Sequence, residues 1–233
     1  TRIADAKNQA RSYSTKEPQK SIAFQMMKVK VEGLYETNPI VTLQKYKKLV
    51  EKNPSNIAAR YGLSLALAKN SSFEEAVNEF EALRSRLPNT ILMLAAYAEV
   101  LASAGQHQKA EKIVEKRLAI SPDNQPLSMI HAETLIATKR FKEAEKILIR
   151  LSKVRPNDVD IWYELAETSG LAGNISGVHI ARAEYFVLHG AYTRSIQHLE
   201  YAKSLTRGNN PQLQAKLAQQ IQDLKTQVRL AKG

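Results

Sequence analysis

Apolar positions along this chain recur at the three- and four-residue spacing of helices, not at the two-residue spacing of half-buried strands. The clearest stripe is the last: Leu213, Leu217, Ile221, Leu224 and Val228 lie at steps of four, four, three and four behind Asn210-Pro211, a helix start. That predicts one helix of about six turns with a single apolar side. Further upstream the helical stripes are shorter and are cut at regular intervals by proline. Pro54, Pro88, Pro122 and Pro156 stand 34 residues apart. Each is followed by residues that close turns and cap helices: Ser55-Asn56, Asn89-Thr90, Asp123-Asn124 and Asn157-Asp158. Proline cannot continue a helix, so each ends one helix before the cap opens the next.

Stacking the three periods from residue 57 exposes a fixed internal pattern. Offsets seven and eight carry a larger residue and then a small one: Leu63-Ser64, Tyr97-Ala98 and His131-Ala132. Offset eleven is Leu67, Leu101 and Leu135; offset twenty is Ala76, Ala110 and Ala144; offset twenty-four is Phe80, Val114 and Leu148. Small residues let two helices approach, and the bulky ones fill the space beside them. A 34-residue period of two helices, with Ala at twenty, a bulky residue at twenty-four and Pro at thirty-two, resembles the tetratricopeptide repeat. A fourth copy opens with Trp162, Leu165 and Ala166 but has Val178 at offset twenty and no closing proline. An overlapping copy follows through Ala183, Phe186, Gly190, Tyr192, Ser195, Leu199 and Ala202, so a helix near 176–188 serves two pairs at once. Thr42, Tyr46 and Leu49 hold the same offsets before Pro54.

The expectation is an all-α tetratricopeptide-repeat superhelical solenoid of about twelve or thirteen helices. Residues 1–20 form a junction helix and linker. The solenoid runs over 21–208, degenerate over 21–56, regular over 57–158 and irregular over 159–208. Residues 209–233 make a C-terminal capping helix, with a partner-binding coiled coil as the sharper alternative.

Composition narrows the function without naming it. Of 233 residues 43% are hydrophobic and 24% charged, which excludes wholesale disorder. There is no Cys, so disulfides, Cys-ligated zinc and thiol catalysis are excluded. No apolar run approaches the ~20 residues that span a bilayer. The chain starts at Thr1 without Met, as a piece of something longer does. The formal charge of +11 is concentrated at the ends, with +6 over residues 1–53 and +5 over 191–233, while 159–190 carries −3. Basic ends suit nucleic acid, an anionic surface or solvated helix faces. The absence of an aromatic-basic motif disfavours nucleic acid.

No catalytic constellation emerges. None of His107, His131, His179, His189 and His198 is followed by Glu, and no two are four apart, so the helical His-Glu-x-x-His of zinc proteases is missing. No Gly-rich phosphate loop and no Gly-x-Ser-x-Gly elbow occurs. His131 falls at a core offset and reads as a packed histidine. The chain is expected to bind and not to catalyse, with no cofactor of its own.

The resemblance to tetratricopeptide repeats implies a concave face fed mainly by offsets two, five, nine, twelve and thirteen. Here those positions supply a candidate partner groove of Tyr61, Leu65, Lys69, Glu99, Met129, Glu133, Ile136, Tyr163 and Glu167. Glu99, Glu133 and Glu167 share one offset and form a ladder of carboxylates flanked by aromatic and apolar groups. A ladder beside tyrosine faces favours cationic polypeptide; the plainer reading is a solvated helix face. The Lys and Asn set that clamps a carboxylate in co-chaperone members is incomplete, with Lys69 alone.

A narrower resemblance rests on the short opening Thr1-Arg2-Ile3-Ala4-Asp5-Ala6, the polar linker 11–20, and Ala181-Arg182-Ala183-Glu184 through Gly190 with Ser195-Ile196. Together these are similar to the junction and last repeat of periplasmic zinc metalloproteases of the β-barrel assembly-enhancing type. That resemblance implies a periplasmic setting, a missing N-terminal protease domain that holds the zinc, and docking on that domain. It also implies partners among outer-membrane β-barrel proteins and their assembly machinery. A stand-alone scaffold with no protease attached is the alternative.

Overall fold

The structure, a computed structural model, describes residues 21–84, 86, 90–206, 208 and 210–230. The junction and linker expected over 1–20, Pro88 and the last three residues lie outside them. The described residues form twelve helices and no strand. In order these are α1 (Ile22–Tyr35), α2 (Pro39–Lys52), α3 (Ile57–Lys69), α4 (Phe73–Arg84), α5 (Ile91–Ser103), α6 (His107–Leu118), α7 (Gln125–Ala137), α8 (Phe141–Val154), α9 (Val159–Leu171), α10 (Ile175–Leu188), α11 (Tyr192–Leu205) and α12 (Pro211–Leu230).

The 34-residue period is written into the helix ends. Asn56, Thr90 and Asn124 cap α3, α5 and α7, each accepting a hydrogen bond from the amide three residues on. Asp158, one period further, makes no such bond; its carboxylate instead accepts from Arg155 and Gln125, both at 3.3 Å. Within each pair the turn is also periodic. Ser71, Gly105, Lys139 and Gly173 take left-handed φ of 62°, 72°, 61° and 80°. Glycine adopts that backbone freely, whereas Ser71 and Lys139 hold it against the clash of their own Cβ.

The core offsets are buried where the pattern requires. Ala76, Ala110, Ala144, Val114 and Leu148 are all 0% exposed, and Phe80 is 1% exposed. The chain divides into two compact units in sequence, residues 1–110 and 111–233, the division falling inside α6. In the first unit, Phe80 meets Tyr61 edge-on at 6.0 Å and stacks on Tyr97 at 5.1 Å. Ser64 of α3 donates to the Ala76 carbonyl of α4 at 2.7 Å, which binds the pair at its closest approach. Gly62 is the place where Tyr46 of α2 presses on α3: a Cβ there would stand 2.3 Å from the tyrosine ring.

In the second unit, Ala132, Leu148, Leu151, Ile161, Leu165, Ala166 and Ala181 make one apolar cluster. Ala183, Leu199, Ala202, Leu217, Ile221 and Leu224 make the next. α10 contributes Ala181 to the first and Ala183 to the second, so it is packed on both sides. α12 lays Leu217, Ile221 and Leu224 against α11.

α1 departs from the repeat. It packs on α3 rather than pairing closely with α2. At offset eight the other first helices carry Ser64, Ala98 and Ala132, buried to 0%, 0% and 1%. α1 carries Lys30 there, too large and too polar for a close helix crossing. α1 and α2 are joined by hydrogen bonds instead: Lys45 donates to Glu32 at 2.8 Å and the Tyr46 hydroxyl donates to the same carboxylate at 3.4 Å. The carboxylate and burial push Tyr46 up to about 12, burial being the larger cause.

Candidate partner-binding faces

The groove positions fall into both units and are placed very differently. In the first unit Glu99 and Lys69 are engaged by α1. Tyr61 is fully buried, its hydroxyl without a hydrogen-bond partner. Burial, and then the nearby Glu99 carboxylate, push that phenol upward. Glu99 on α5 accepts from Lys30 of α1 at 3.0 and 3.3 Å. Lys69, at the end of α3, donates to the carbonyls of Gly33 and Glu36 at 3.0 Å each. It thereby caps the last turn of α1, where carbonyls lack partners and a cation is favoured. Leu65 is half-buried.

In the second unit the predicted positions remain nearer the solvent. Met129 is partly buried against the apolar cluster, Ile136 is half-buried, and Glu133 is exposed on α7. Tyr163 of α9 is 52% exposed. Its ring lies 6.1 Å from that of Tyr185 on α10, which in turn lies 4.3 Å from the His189 ring. Glu167 meets Arg182 at 3.4 Å. Around them gather Asp160 and Glu164. Glu164 occupies the offset held by Gly62, Ala96 and Ile130 in the other repeats. Burial there holds its carboxyl above the ordinary range, helped by Glu167 and Asp160.

The aromatic continuity of this face could not be read from one helix at a time. Tyr185 on α10 and His189 at its C-cap are four apart, their rings tilted against each other, but Tyr163 joins them from the neighbouring helix. A second aromatic group lies across α10 and α11: His179 and His198 share a hydrogen bond at 2.9 Å between their Nδ1 atoms, and Phe186 stacks on His198 at 5.3 Å. Burial lowers both imidazoles; Arg182 lowers both further, and His179 also lowers His198.

Among the described residues, Glu111, Glu115 and His131 bring potential cation-ligand atoms within 4.8 Å of one another. His131 Nε2 stands 3.7 Å from a carboxylate oxygen of each glutamate. Glu111 is already paired with the Arg140 guanidinium, which also grips Glu143 at 2.7 Å. The cluster is an ion-pair network on the faces of α6, α7 and α8.

Comparison with known proteins agrees with this architecture. Tetratricopeptide-repeat family models match residues 43–89 and 101–167. The β-barrel assembly-enhancing protease of Yersinia pestis is 25% identical over 210 residues, covering 88% of this chain and 42% of that protein. The chain thus spans less than half the length of that relative. Tetratricopeptide repeat protein 21B of Xenopus laevis is 28% identical over 92 residues, 40% of this chain and 7% of that one. Among solved structures, a tetratricopeptide repeat protein from Parabacteroides merdae superposes with a TM-score of 0.53 at 15% identity, covering 89% of this chain and 87% of its own. YrrB, described as a tetratricopeptide-repeat protein with an unusual peptide-binding site, gives 0.50 at 18% identity over 76% of this chain and 88% of its own. The chain contains tetratricopeptide repeats in an all-α fold. That is the architecture of a protein-interaction scaffold.

Proposed function

We propose that this chain is the polypeptide-recruiting part of a periplasmic metalloprotease that acts in outer-membrane protein assembly and quality control. The observation that carries the binding half is the Tyr163–Tyr185–His189 strip, with Tyr163 and His189 exposed and Tyr185 half-buried between them, beside Asp160, Glu164 and Glu167 in the second unit. Aromatic faces next to carboxylates take lysine, arginine and apolar side chains of an extended or helical segment. An incoming cation competes with Arg182 for Glu167, so exchange costs little and partners are held adaptably. The protease half rests on the similarity to the Yersinia pestis protein, which runs through nearly the whole of this chain. Zinc belongs to the protease domain of such a parent. This chain supplies binding and orientation, and its partners are unfolded outer-membrane β-barrel polypeptides and their assembly machinery. No helix among the described residues is long and apolar enough to cross a membrane.

The test is fluorescence anisotropy with a labelled, unfolded outer-membrane β-barrel polypeptide and the intact chain. Glu133→Gln with Glu167→Gln keeps size and removes charge. At about 0.2–1 kcal/mol for each exposed pair, the double variant is expected to bind about two- to thirtyfold more weakly. Tyr163→Ala is expected to weaken binding further, with melting unchanged. Wild-type affinity in all three substitutions would reduce this face to solvated surface.

A further inference from the structure

The first unit already holds a helix where a partner is expected. Two of the predicted groove residues, Lys69 and Glu99, lie on two different helices, and both are engaged by the same segment, 22–36. Lys30 reaches Glu99 on α5, a helix two places along from α1 in the repeat order. Lys69 caps the carbonyl end of the segment. Met26, on the same side of α1 as Lys30, is completely buried. A first-repeat helix packed in the ordinary way would instead bury a small residue at offset eight against its own partner α2.

The attachment is also weak for a helix of this length. Phe24, Met27, Val31 and Leu34 form a stripe at helical spacing, and they point away from the protein at 44%, 49%, 43% and 74% exposure. α1 is therefore held by one fully buried methionine, half-buried Val29 and polar contacts, while its most apolar side is left outside. Such elements open at low cost compared with a core helix.

We propose that the α3–α5 face of the first unit is a binding site for an amphipathic helix bearing a lysine, and that α1 is its built-in occupant. The site has three parts. Glu99 takes the lysine ammonium. Lys69 takes the carbonyls of the last turn. The pocket that buries Met26 where α1 packs on α3 takes an apolar side chain one turn before the lysine. A partner helix with that arrangement replaces α1, whose apolar stripe is then released. This rests on the chain being a polypeptide-binding repeat scaffold, but concerns a different face from Tyr163 and Glu167.

The experiment uses the intact chain and one probe, a fluorescein-labelled synthetic peptide of residues 21–36 with blocked ends. In the wild-type chain α1 competes in cis at an effective concentration near millimolar, so the peptide binds weakly. Lys30→Glu in the chain sets like charges against Glu99. It is expected to raise peptide affinity at least tenfold and to speed hydrogen exchange of the α1 amides, with those of α3 and α5 unchanged. Lys30→Glu with Glu99→Lys restores the cis pair, and is expected to return both readings towards wild type. Both positions are partly exposed, at 31% and 40%, so the variants keep their fold. Equal, weak peptide binding in all three chains overturns the proposal. So does free exchange of α1 without peptide binding, or an α1 that stays protected in Lys30→Glu. Loss of β-barrel polypeptide binding in Tyr163→Ala leaves these readings untouched, so the two readings fail separately.

Discussion

The regular repeats and the stretch from α9 to α11 use the same period to different ends. In α4, α6 and α8, offset twenty is alanine, fully buried at Ala76, Ala110 and Ala144. In α10 it is Val178, only half-buried. The larger side chain is accommodated from across the pair: Gly170 lies opposite, and a Cβ built there would stand 3.6 Å from Val178. The regular pairs thus have a small residue on the second helix at this crossing, where the irregular pair has glycine on the first. Freed of the alanine rule, α10 packs through Ala181 on one side and Ala183 on the other. It also carries Tyr185 and Phe186, with His189 at its C-cap, aromatic groups that no regular second helix displays together. Regularity serves the core, and its loss is where the surface acquires recognition chemistry.

The largest expected effect separates the two kinds of pair directly. Ala144→Leu forces bulk into a close crossing with no room around it, at a cost of about 1–3 kcal/mol. For a chain of this size that lowers Tm by roughly 2–4 °C per kcal/mol. Val178→Leu adds one methylene facing Gly170 and is expected to cost under about 1 kcal/mol. Calorimetry of the two variants checks this; equal losses would dissolve the distinction.

The next contrast concerns the turns. Gly105 and Lys139 have the same left-handed backbone one period apart, with open space around the Cβ position of Gly105. Gly105→Ala therefore pays for backbone alone, about 1 kcal/mol. Lys139→Gly relieves the same strain and is expected to leave stability unchanged or raise it by a few tenths of a kcal/mol, since glycine also loosens the unfolded chain. Denaturant melts in which both substitutions destabilise equally would show that Lys139 holds its turn by side-chain contacts instead.

Most of the fold was legible because the repeat states each core position several times. A single Ala says little, but Ala76, Ala110 and Ala144 at one offset fix the frame, and the frame then places Leu148 or Ser64 without further help. The shared role of α10 was legible for the same reason, through Ser195 and Leu199 at offsets twenty and twenty-four of an overlapping copy. The groove was only partly legible. Offsets name which residues face a common side, but not what else lies on that side. Lys30 held the missing signal: a lysine where its homologues are Ser64, Ala98 and Ala132 cannot pair as they do, so its helix must go elsewhere. The Tyr163–Tyr185–His189 strip was invisible because its members come from two helices and its geometry depends on how they cross.

The smallest expected effect is a pH dependence that distinguishes the aromatic stretch from the regular repeats. His179 and His198 are held below the ordinary imidazole value, chiefly by burial, so the folded chain binds fewer protons there than the unfolded chain. Their contribution is complete above about pH 6.5 and is lost as pH falls through the lowered values. Glu164 runs the other way: its carboxyl is held above the ordinary range, so the folded state favours its proton. Its contribution is present at acid pH and fades as pH rises through the raised value. Between pH 7.5 and 5.5 the wild-type Tm is therefore expected to fall through the histidines. His198→Phe retains a ring for Phe186 to stack on and removes the titration, so it should flatten the fall. Melting curves at the two pH values separate these slopes. Identical slopes in wild type and His198→Phe would mean that the imidazole pair opens to solvent and does not couple protonation to folding.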